Sequence, residues 1–435
     1  MTASTGPGAR YRWAILAVAA LAVFGSLGLS RFSYTAILPS MQAGLDISSA
    51  AAGSLASWNL IGYTVMSAIG GVLSARWGAR TVITLGIMVT AAGMLFTGLS
   101  NTLAGASAAR LLTGMGNGLV LVPSISLMAA WFEVRRLGLA SAVVPTGSSL
   151  TLVVVGLAVP PILGAGGEDG WRLAWFVFAG ITFLLAVLNA VIQRDRPAKP
   201  LIESDEIVID KWAPESIRAR LSPPSFHVKT VIRSRYAWHA GGVYLLYGLA
   251  FLLYFTFFQK RLTTDLGYSD EAAGYLFILV GVAGLVGGTL WGSVSDRFGR
   301  ERTLALTLFL AGLAGLLFGI EPLLPSLIVS AVLFGSTGPA FPGLMGVACA
   351  DRFGPKLASA SLGLITILVG AGQAIGPLIG GAMNDAFSSL AASYVFSGVV
   401  FIVAAFAALL LPRGAEPDRS AAIVLPELPK QRRVR

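Results

Sequence analysis

The chain reads GVLSARWGAR from Gly71 to Arg80 and GSVSDRFGRE from Gly292 to Glu301. Each segment directly follows a long apolar run, and small residues and arginines fall at matching places in the two copies. A repeat of this kind indicates that the chain consists of two similar halves. Small residues let helix ends approach closely, and arginines there can pair with acids or headgroups, so both copies are candidates for a breakable gate. A static basic turn is the alternative. The gate candidates are Gly71, Arg76, Gly78, Arg80, Gly292, Asp296, Arg297, Gly299 and Arg300.

Long apolar runs surround the two copies. Hydrophobic residues make up 55% of the chain and charged residues 12%, which predicts a protein whose surface faces lipid. A helix needs about 20 apolar residues to cross a bilayer, and twelve runs of this length form two groups of six. The first group covers roughly residues 13–39, 50–74, 80–100, 103–131, 138–163 and 171–193; the second covers roughly 237–259, 271–294, 303–323, 326–350, 358–384 and 388–411. The predicted fold class is an all-α membrane protein of two six-helix bundles.

The segment between the two groups is polar. It carries five prolines and fifteen charged residues, which a bilayer core does not accept, so it is predicted to be a linker. The predicted division is a tail at 1–12, an N-terminal bundle at 13–193, a linker at 194–235, a C-terminal bundle at 236–412 and a tail at 413–435.

Basic residues give the orientation, because Lys and Arg near helix ends stay on the cytoplasmic side. With both termini inside, all but five of the 31 basic residues lie on cytoplasmic segments. Both copies of the repeat then lie in the cytoplasm, so the halves are parallel repeats related by an axis along the membrane normal. Topology thus explains the net charge of +10, and we expect no nucleic-acid partner. The exceptions are Arg31, Arg110, Arg172, Lys260 and Arg261.

Cofactor chemistry has little support in the sequence. Cys349 is the single cysteine, and the two histidines show no metal-binding spacing, so we expect no disulfide, metal or other cofactor. The chain also lacks a GxxxxGK[ST] loop for ATP. Uphill transport would therefore draw on an ion or solute gradient.

The pattern G-x-x-x-D-R-x-G-R, complete from Gly292 to Arg300, resembles the loop motif of the major facilitator superfamily (MFS). The first copy departs from this motif, with alanine at positions 75 and 79, which puts its charge-paired lock in doubt. Further motifs resemble the family's helix-4 arginine-glycine motif, from Arg110 to Gly118, and its glycine-proline motif, at Gly376-Pro377 in helix 11. The segment from Gly28 to Pro39 resembles the bacterial YbfB/YjiJ-type branch, and monocarboxylate-type porters are a more distant likeness.

The resemblance implies a twelve-helix MFS fold in the bacterial inner membrane, with both termini cytoplasmic. It further implies alternating access, a cavity lined by helices 1, 4, 7 and 10, and structural or coupling roles for Arg110, Gly376 and Pro377. The glycine-proline motif of drug/proton antiporters is expected in helix 5, where this chain has another arrangement. An antiporter of that kind is therefore disfavoured.

Arg31 is the leading candidate for substrate binding. A charge at bilayer depth costs roughly 2.5 to 3.5 kcal/mol, so such residues usually face a cavity. All 21 acidic residues map to loops or helix ends. A buried guanidinium without a protein carboxylate needs an anion, which predicts a small organic anion as substrate. Snorkelling of Arg31 to the outer headgroups is the alternative.

Aromatic and amide side chains give the other candidates. Tyr244, Tyr247 and Tyr254 form one stripe on helix 7, either as a cavity wall or as ordinary packing. Tyr34 shares the helix-1 face of Arg31. Asn117 in helix 4 and Gln373 in helix 11 are uncommon polar groups at this depth, for which interhelical hydrogen bonding is the alternative.

These observations predict a monomeric secondary transporter that moves a small organic anion across the bilayer by alternating access. Export of hydrophobic drugs is the alternative within transporters, and it would not need Arg31. A membrane sensor or enzyme is the alternative from another class, but the sequence offers no nucleophile-base pair within the membrane.

Overall fold

The computed structural model describes residues 7–132, 134–196, 232–320 and 323–412, and its regular elements within these ranges are helices. Residues 197–231 of the predicted linker, residues 1–6 of the predicted N-terminal tail and the whole predicted C-terminal tail lie outside the described residues. Below, the cytoplasmic end of a helix is the end near the basic loops, and the outer end is the opposite one.

The first half contains six helices. Helix α1 comprises Pro7–Val23, a π-helical segment Phe24–Phe32 and Ser33–Gly44. The next two helices are α2, Ser49–Trp77, and α3, Ala79–Leu99. Helix α4 is divided into Leu103–Gly118 and Leu121–Trp131, and it is followed by α5, Val134–Gly166, and α6, Gly170–Ile192.

The second half repeats this arrangement. Helix α7 is Arg235–Thr256, continued by Phe258–Lys260 and a π-helical turn Arg261–Asp265. Helices α8 and α9 are Asp270–Phe298 and Arg300–Ile320. Helix α10 begins as Leu324–Thr337 and resumes at Phe341, α11 ends at Phe387, and α12 is Ala391–Leu409. The breaks in α4 and α10 fall at equivalent places of the repeat.

The connection between α10 and α11 differs from the prediction of a loop. The backbone is helical without interruption over Phe341–Phe387. Two segments of membrane length, Leu324–Phe353 and Ser361–Phe387, are joined through this helix. We assign the first segment to α10 and the second to α11. A helix satisfies its own backbone hydrogen bonds, so a short polar connection at the membrane surface can stay helical.

Ten segments within the described residues are long and apolar enough to cross a membrane. One of them, Val143–Ile192, contains parts of both α5 and α6. Helix α2 has membrane length, although its many glycine, alanine and serine residues keep it outside this set of ten. Counted in this way, the described residues contain the twelve predicted spans.

The two halves meet through α2 with α11 and through α5 with α8. Close approaches lie in the outer parts of these helices: a Cβ at Gly53 would lie 2.1 Å from the Pro377 carbonyl oxygen, and one at Gly156 would lie 2.6 Å from that of Gly274. Towards the cytoplasm, a Cβ at Gly292 would meet no described atom within 4 Å. The halves are therefore in closest contact at their outer ends.

Candidate functional site

Arg31 lies at the interface between the two halves. Its Nη2 donates a hydrogen bond to Gln373 Oε1 of α11 at 3.0 Å. Its Cζ atom lies 5.6 Å from the ring centre of Tyr63 in α2 and 5.8 Å from that of Phe32. Helix α1 continues beyond the predicted end at residue 39 to Gly44, which puts Arg31 about 20 Å from the outer end of the helix. This depth and the bond to α11 do not fit snorkelling to the outer headgroups.

The π-helical segment Phe24–Phe32, which contains Arg31, exposes backbone carbonyls to other helices. Thr151 Oγ1 of α5 donates to the Phe24 carbonyl at 3.3 Å, and Arg110 Nη1 of α4 donates to the Ser30 carbonyl at 2.7 Å. A Cβ at Gly28 would lie 1.9 Å from Thr151 Oγ1, so glycine is required for this close approach. Such π-helical segments frequently occur at functional sites.

Arg110 is buried, with 1% of its surface exposed. Its Cζ lies 4.5 Å from the ring centre of Tyr34 and 5.3 Å from that of Trp175. These cation–π contacts and the bond to the Ser30 carbonyl hold the guanidinium against α1 and α6. The contacts accord with the structural role that the resemblance implied.

Arg31 and Arg110 line one small enclosed cavity between α1, α2, α4 and α7. Its volume is about 10 Å³, which is about the space that one water molecule needs. Leu252 and Phe255 of α7 supply apolar lining from the second half. The polar lining residues are Arg31, Tyr34, Thr35, Asn59, Arg110 and Thr256. Among the residues that the structure describes, two cationic side chains and no acidic one line the cavity.

The tyrosine stripe of α7 is divided between the interface and the interior of the second half. Tyr247 is near enough to Arg31 to interact electrostatically, and its hydroxyl donates to the Gly338 carbonyl in the break of α10 at 2.8 Å. Tyr244 stacks on Tyr247, with ring centres 5.6 Å apart. Tyr254 instead bonds Ser330 Oγ at 2.6 Å, inside the second half. Ordinary packing, the alternative, therefore explains Tyr254.

Asn117 lies inside the first half and not among the residues that line the cavity. Its amide is 3.0 Å from Ser30 Oγ of α1 and 3.2 Å from Thr90 Oγ1 of α3. The interhelical hydrogen bonding given as the alternative therefore explains this residue. Gln373, in contrast, bonds Arg31 directly.

The glycine-proline segment of α11 packs where three helices cross. A Cβ at Gly376 would lie 2.3 Å from the Leu249 carbonyl oxygen of α7. The carbonyl of Pro377 contacts Gly53 of α2 in the other half. Both residues therefore stand at backbone contacts, and Pro377 takes part in a contact between the halves.

The two repeated loops have similar backbones but different charge partners. Gly78 and Gly299 have φ of 85° and 93°, a conformation that favours glycine. Arg300 donates to Asp296 at 2.6 Å and to Asp351 at 2.7 Å. Asp296 thus forms the pair expected from the complete motif.

The first loop is contacted by an acid from the segment that follows α6. The backbone N–H of Arg80 donates to Asp195 Oδ1 at 2.8 Å, and Arg80 Nε donates to the Ala190 carbonyl of α6 at 3.0 Å. Asp195 therefore supplies the carboxylate that Ala75 cannot. Gly71, Arg76 and Arg297 are exposed, and Gly292 is half-buried. Among the described residues, the hydrogen bonds and ion pairs of both loops stay within one half.

Further polar contacts join the halves at their outer ends. Lys260, beyond α7, donates to Gln42 Oε1 of α1 at 2.7 Å and to Ser49 Oγ of α2. Burial lowers the pKa of Lys260, and Asp265 and Asp385 oppose this shift. Its side chain is 6% exposed, so it belongs to a closed contact between the halves.

Asp385 of α11 completes this outer contact. Its carboxylate accepts hydrogen bonds from the backbone N–H groups of Ser49 at 2.9 Å and Ala50 at 2.8 Å, at the start of α2. Asn384 Nδ2 donates to Ser49 Oγ at 2.8 Å. A carboxylate is stabilised at a helix N-terminus by the free N–H groups and the helix dipole. We call Gln42, Ser49, Lys260, Asn384 and Asp385 the outer lock.

The outer lock was not predicted from the sequence. The sequence contained one signal for it: Lys260 is one of the five basic residues that lie outside the predicted cytoplasmic segments. Two others of these, Arg172 and Arg261, pair with Asp169 and Asp265, both at 3.0 Å. The serine and asparagine of the lock carry no such signal.

Two repeated helical halves that span a membrane and enclose buried cations at their interface define a secondary membrane transporter. Comparison with known proteins agrees with this class. A family model described as "Uncharacterised MFS-type transporter YbfB" matches residues 23–409. The chain belongs to this family of the major facilitator superfamily, as the sequence motifs predicted.

Relatives and solved structures match over most of the chain. Human monocarboxylate transporter 11 (Homo sapiens) is 27% identical over 432 residues, covering 94% of this chain and 84% of that protein. The hexuronate transporter of Bacillus subtilis (strain 168) is 22% identical over 409 residues, covering 88% and 91%. The crystal structure of a bacterial homolog of the human lysosomal transporter Spinster, inward-facing and unoccupied, has a TM-score of 0.71 at 15% identity and covers 92% of this chain and 97% of that one. This structural likeness confirms the MFS fold.

Proposed function

We propose that this protein transports a small organic carboxylate across the bacterial inner membrane, as a monomer, by alternating access of a site between its two halves. Arg31 binds the anion in this proposal. Gln373 and Tyr247 lie next to Arg31, and together with Tyr34 and Tyr244 they orient the substrate.

The observation that carries the proposal is the unpaired charge of Arg31. Its Nη2 bonds only the neutral amide of Gln373, and its Nε has no hydrogen-bond partner among the described residues. A cation in a low-dielectric interior gains much from an ionised partner. Because no acidic side chain of the described residues lines the cavity, a carboxylate on the substrate can supply that partner.

The substrates for which the relatives are named support the same class of substrate. Monocarboxylates and hexuronates are both organic anions with carboxylate groups. Export of hydrophobic drugs, the alternative, is less well supported because it gives Arg31 and Arg110 no partner. We therefore retain the carboxylate.

The contacts between the halves support a gating sequence. The outer lock holds the outer ends together, while the repeated loops bond only within their own halves. Opening towards the outside then requires breaking the Lys260 and Asp385 contacts and bringing the cytoplasmic ends together. A substrate shifts this equilibrium only if it binds the two arrangements with different affinity.

We expect Arg31→Gln to reduce carboxylate uptake into proteoliposomes by about tenfold or more, because the substitution removes a charge-assisted hydrogen bond. Arg31→Lys should retain part of the activity, since it keeps the charge but loses the planar fork. The substrate tested is the small carboxylate that most raises the melting temperature of the purified wild-type protein.

Arg172→Gln is the matched control, because this arginine lies at the outer end of α6, pairs with Asp169 and does not line the cavity. Its uptake should equal that of the wild type. Wild-type uptake by Arg31→Gln would rule out the assigned role of Arg31.

A further inference from the structure

Arg110 reaches the same cavity as Arg31, although its known contacts suggest only a structural role. The Ser30 carbonyl accepts from its Nη1 at 2.7 Å, and the ring of Tyr34 covers its guanidinium at 4.5 Å. These contacts leave Nε without a hydrogen-bond partner among the described residues. A buried N–H group without a partner is costly, and here it belongs to a side chain that is 1% exposed.

The charges of the cavity do not balance. Arg31 and Arg110 both carry a positive charge and line the same small cavity. The ion pairs among the described residues lie elsewhere, at Arg172, Arg261 and Arg300. Tyr34, Thr35, Asn59 and Thr256 add only neutral polar groups. A substrate with one negative charge would therefore leave one buried guanidinium without a counter-charge.

We propose that Arg110 is a second anion-binding residue and that the substrate is a small dicarboxylate, with one carboxylate on each guanidinium. This inference rests on the proposed role of Arg31. The cavity has room for about one water molecule as it stands, so the dicarboxylate enters when the halves part. Arg110 is then bound to α1 through the Ser30 carbonyl and to the substrate through its remaining N–H groups.

The test compares anions that differ only in charge. Dicarboxylates of three to six carbons are each paired with the monocarboxylate of the same length, such as succinate with butyrate. Dissociation constants for the purified protein are obtained from the shift in melting temperature with ligand concentration. We expect the best dicarboxylate to bind the wild type about tenfold more tightly than its partner.

Variants of Arg110 and Arg31 show which residue causes the difference in affinity between dicarboxylate and monocarboxylate. Arg110→Gln should remove the preference for the dicarboxylate and leave monocarboxylate binding nearly unchanged, whereas Arg31→Gln should weaken both. Arg110→Lys should keep part of the preference, because it keeps the charge. The ratio of the two affinities is the decisive readout, since loss of packing alone would not change charge selectivity.

The outcomes separate the two proposals. Equal binding of paired anions to the wild type would overturn the dicarboxylate inference and leave the carboxylate transporter standing. Binding of neither series would overturn both. Should Arg110→Gln fail to fold, the wild-type comparison decides the substrate class, and Arg110→Met, which removes the charge but keeps a long unbranched side chain, decides the residue: an unchanged preference for the dicarboxylate with Met would exclude Arg110.

Discussion

Single glycines decide how closely helices approach around the site. A Cβ at Gly114 of α4 would lie 1.9 Å from the Asn59 carbonyl oxygen of α2. This close approach also lets Asn59 Nδ2 donate to the Arg110 carbonyl at 3.3 Å. Gly114 thus explains why a glycine follows the arginine in the helix-4 motif: it brings Arg110 and Asn59 to the same cavity.

We expect Gly114→Ala to lower the free energy of unfolding by about 1–3 kcal/mol, because the new methyl group overlaps backbone atoms that cannot move independently. Thermal unfolding of the detergent-solubilised protein measures the effect. Gly288→Ala in α8 is the control, since its Cβ would meet no described atom within 4 Å. Equal melting temperatures for the two variants would contradict the assigned contact.

At the scale of helices, the start of α2 and the end of α11 form a charge-assisted contact between the halves. Asp385 accepts two backbone N–H groups of α2 and thereby also joins the second half to the first. The contact exists only while the outer ends are together. Its removal should therefore favour the arrangement that is open to the outside.

We expect Asp385→Asn to raise the ratio of outward-open to closed protein by about fivefold, because a charge at a helix N-terminus contributes about 1 kcal/mol. The measurement is labelling of Ala56→Cys, a cavity residue, by a membrane-impermeant maleimide added outside right-side-out vesicles. Cys349→Ser provides the cysteine-free background.

Asp169→Asn is the control for this effect, because Asp169 pairs with Arg172 inside the first half. It should leave the labelling rate unchanged. If Asp385→Asn labelled no faster than the parent, Asp385 would have no part in holding the outer ends together.

At the scale of the whole molecule, transport requires the outer ends of the two halves to separate. Ser49 Oγ and Asn384 Nδ2 lie 2.8 Å apart across the halves. In a Ser49→Cys, Asn384→Cys protein that also carries Cys349→Ser, we expect oxidation to join the halves and to stop uptake, and reduction to restore it.

The control is an asparagine–hydroxyl pair within one half: Asn189 Nδ2 and Thr84 Oγ1 lie 2.9 Å apart between α6 and α3. The corresponding double-cysteine variant should transport equally well when oxidised and reduced. Undiminished uptake by the oxidised protein with the cross-linked outer lock would show that the outer ends do not separate during transport.

Much of the architecture was predictable because bilayer physics acts on local composition. The length of apolar runs and the repeat at Gly71 and Gly292 each depend on a short segment, and the helical two-half fold confirms both. The orientation that follows from the basic residues stays a prediction. The helical connection between α10 and α11 was not predictable, since a short polar segment next to an apolar run is compatible with either a loop or a helix.

The site was predictable only in part. Arg31 was found because an ionised group at bilayer depth is costly wherever its neighbours lie. Asn117 and Tyr254 have the same local character as Gln373 and Tyr247, yet they bond within one half while the latter pair lies at the interface. A difference of this kind depends on how the helix is turned about its axis.

The sequence by itself determined the solvent of the fold, the two-half repeat and the presence of cations without acidic partners. Only the tertiary structure decided that Arg31 and Arg110 share one cavity, that Asp195 replaces the missing acid of the first loop, and that Asp385 meets the start of α2. The physical reason is that solvent preference is a property of each segment. Contacts between residues far apart in the chain exist only after the helices have packed.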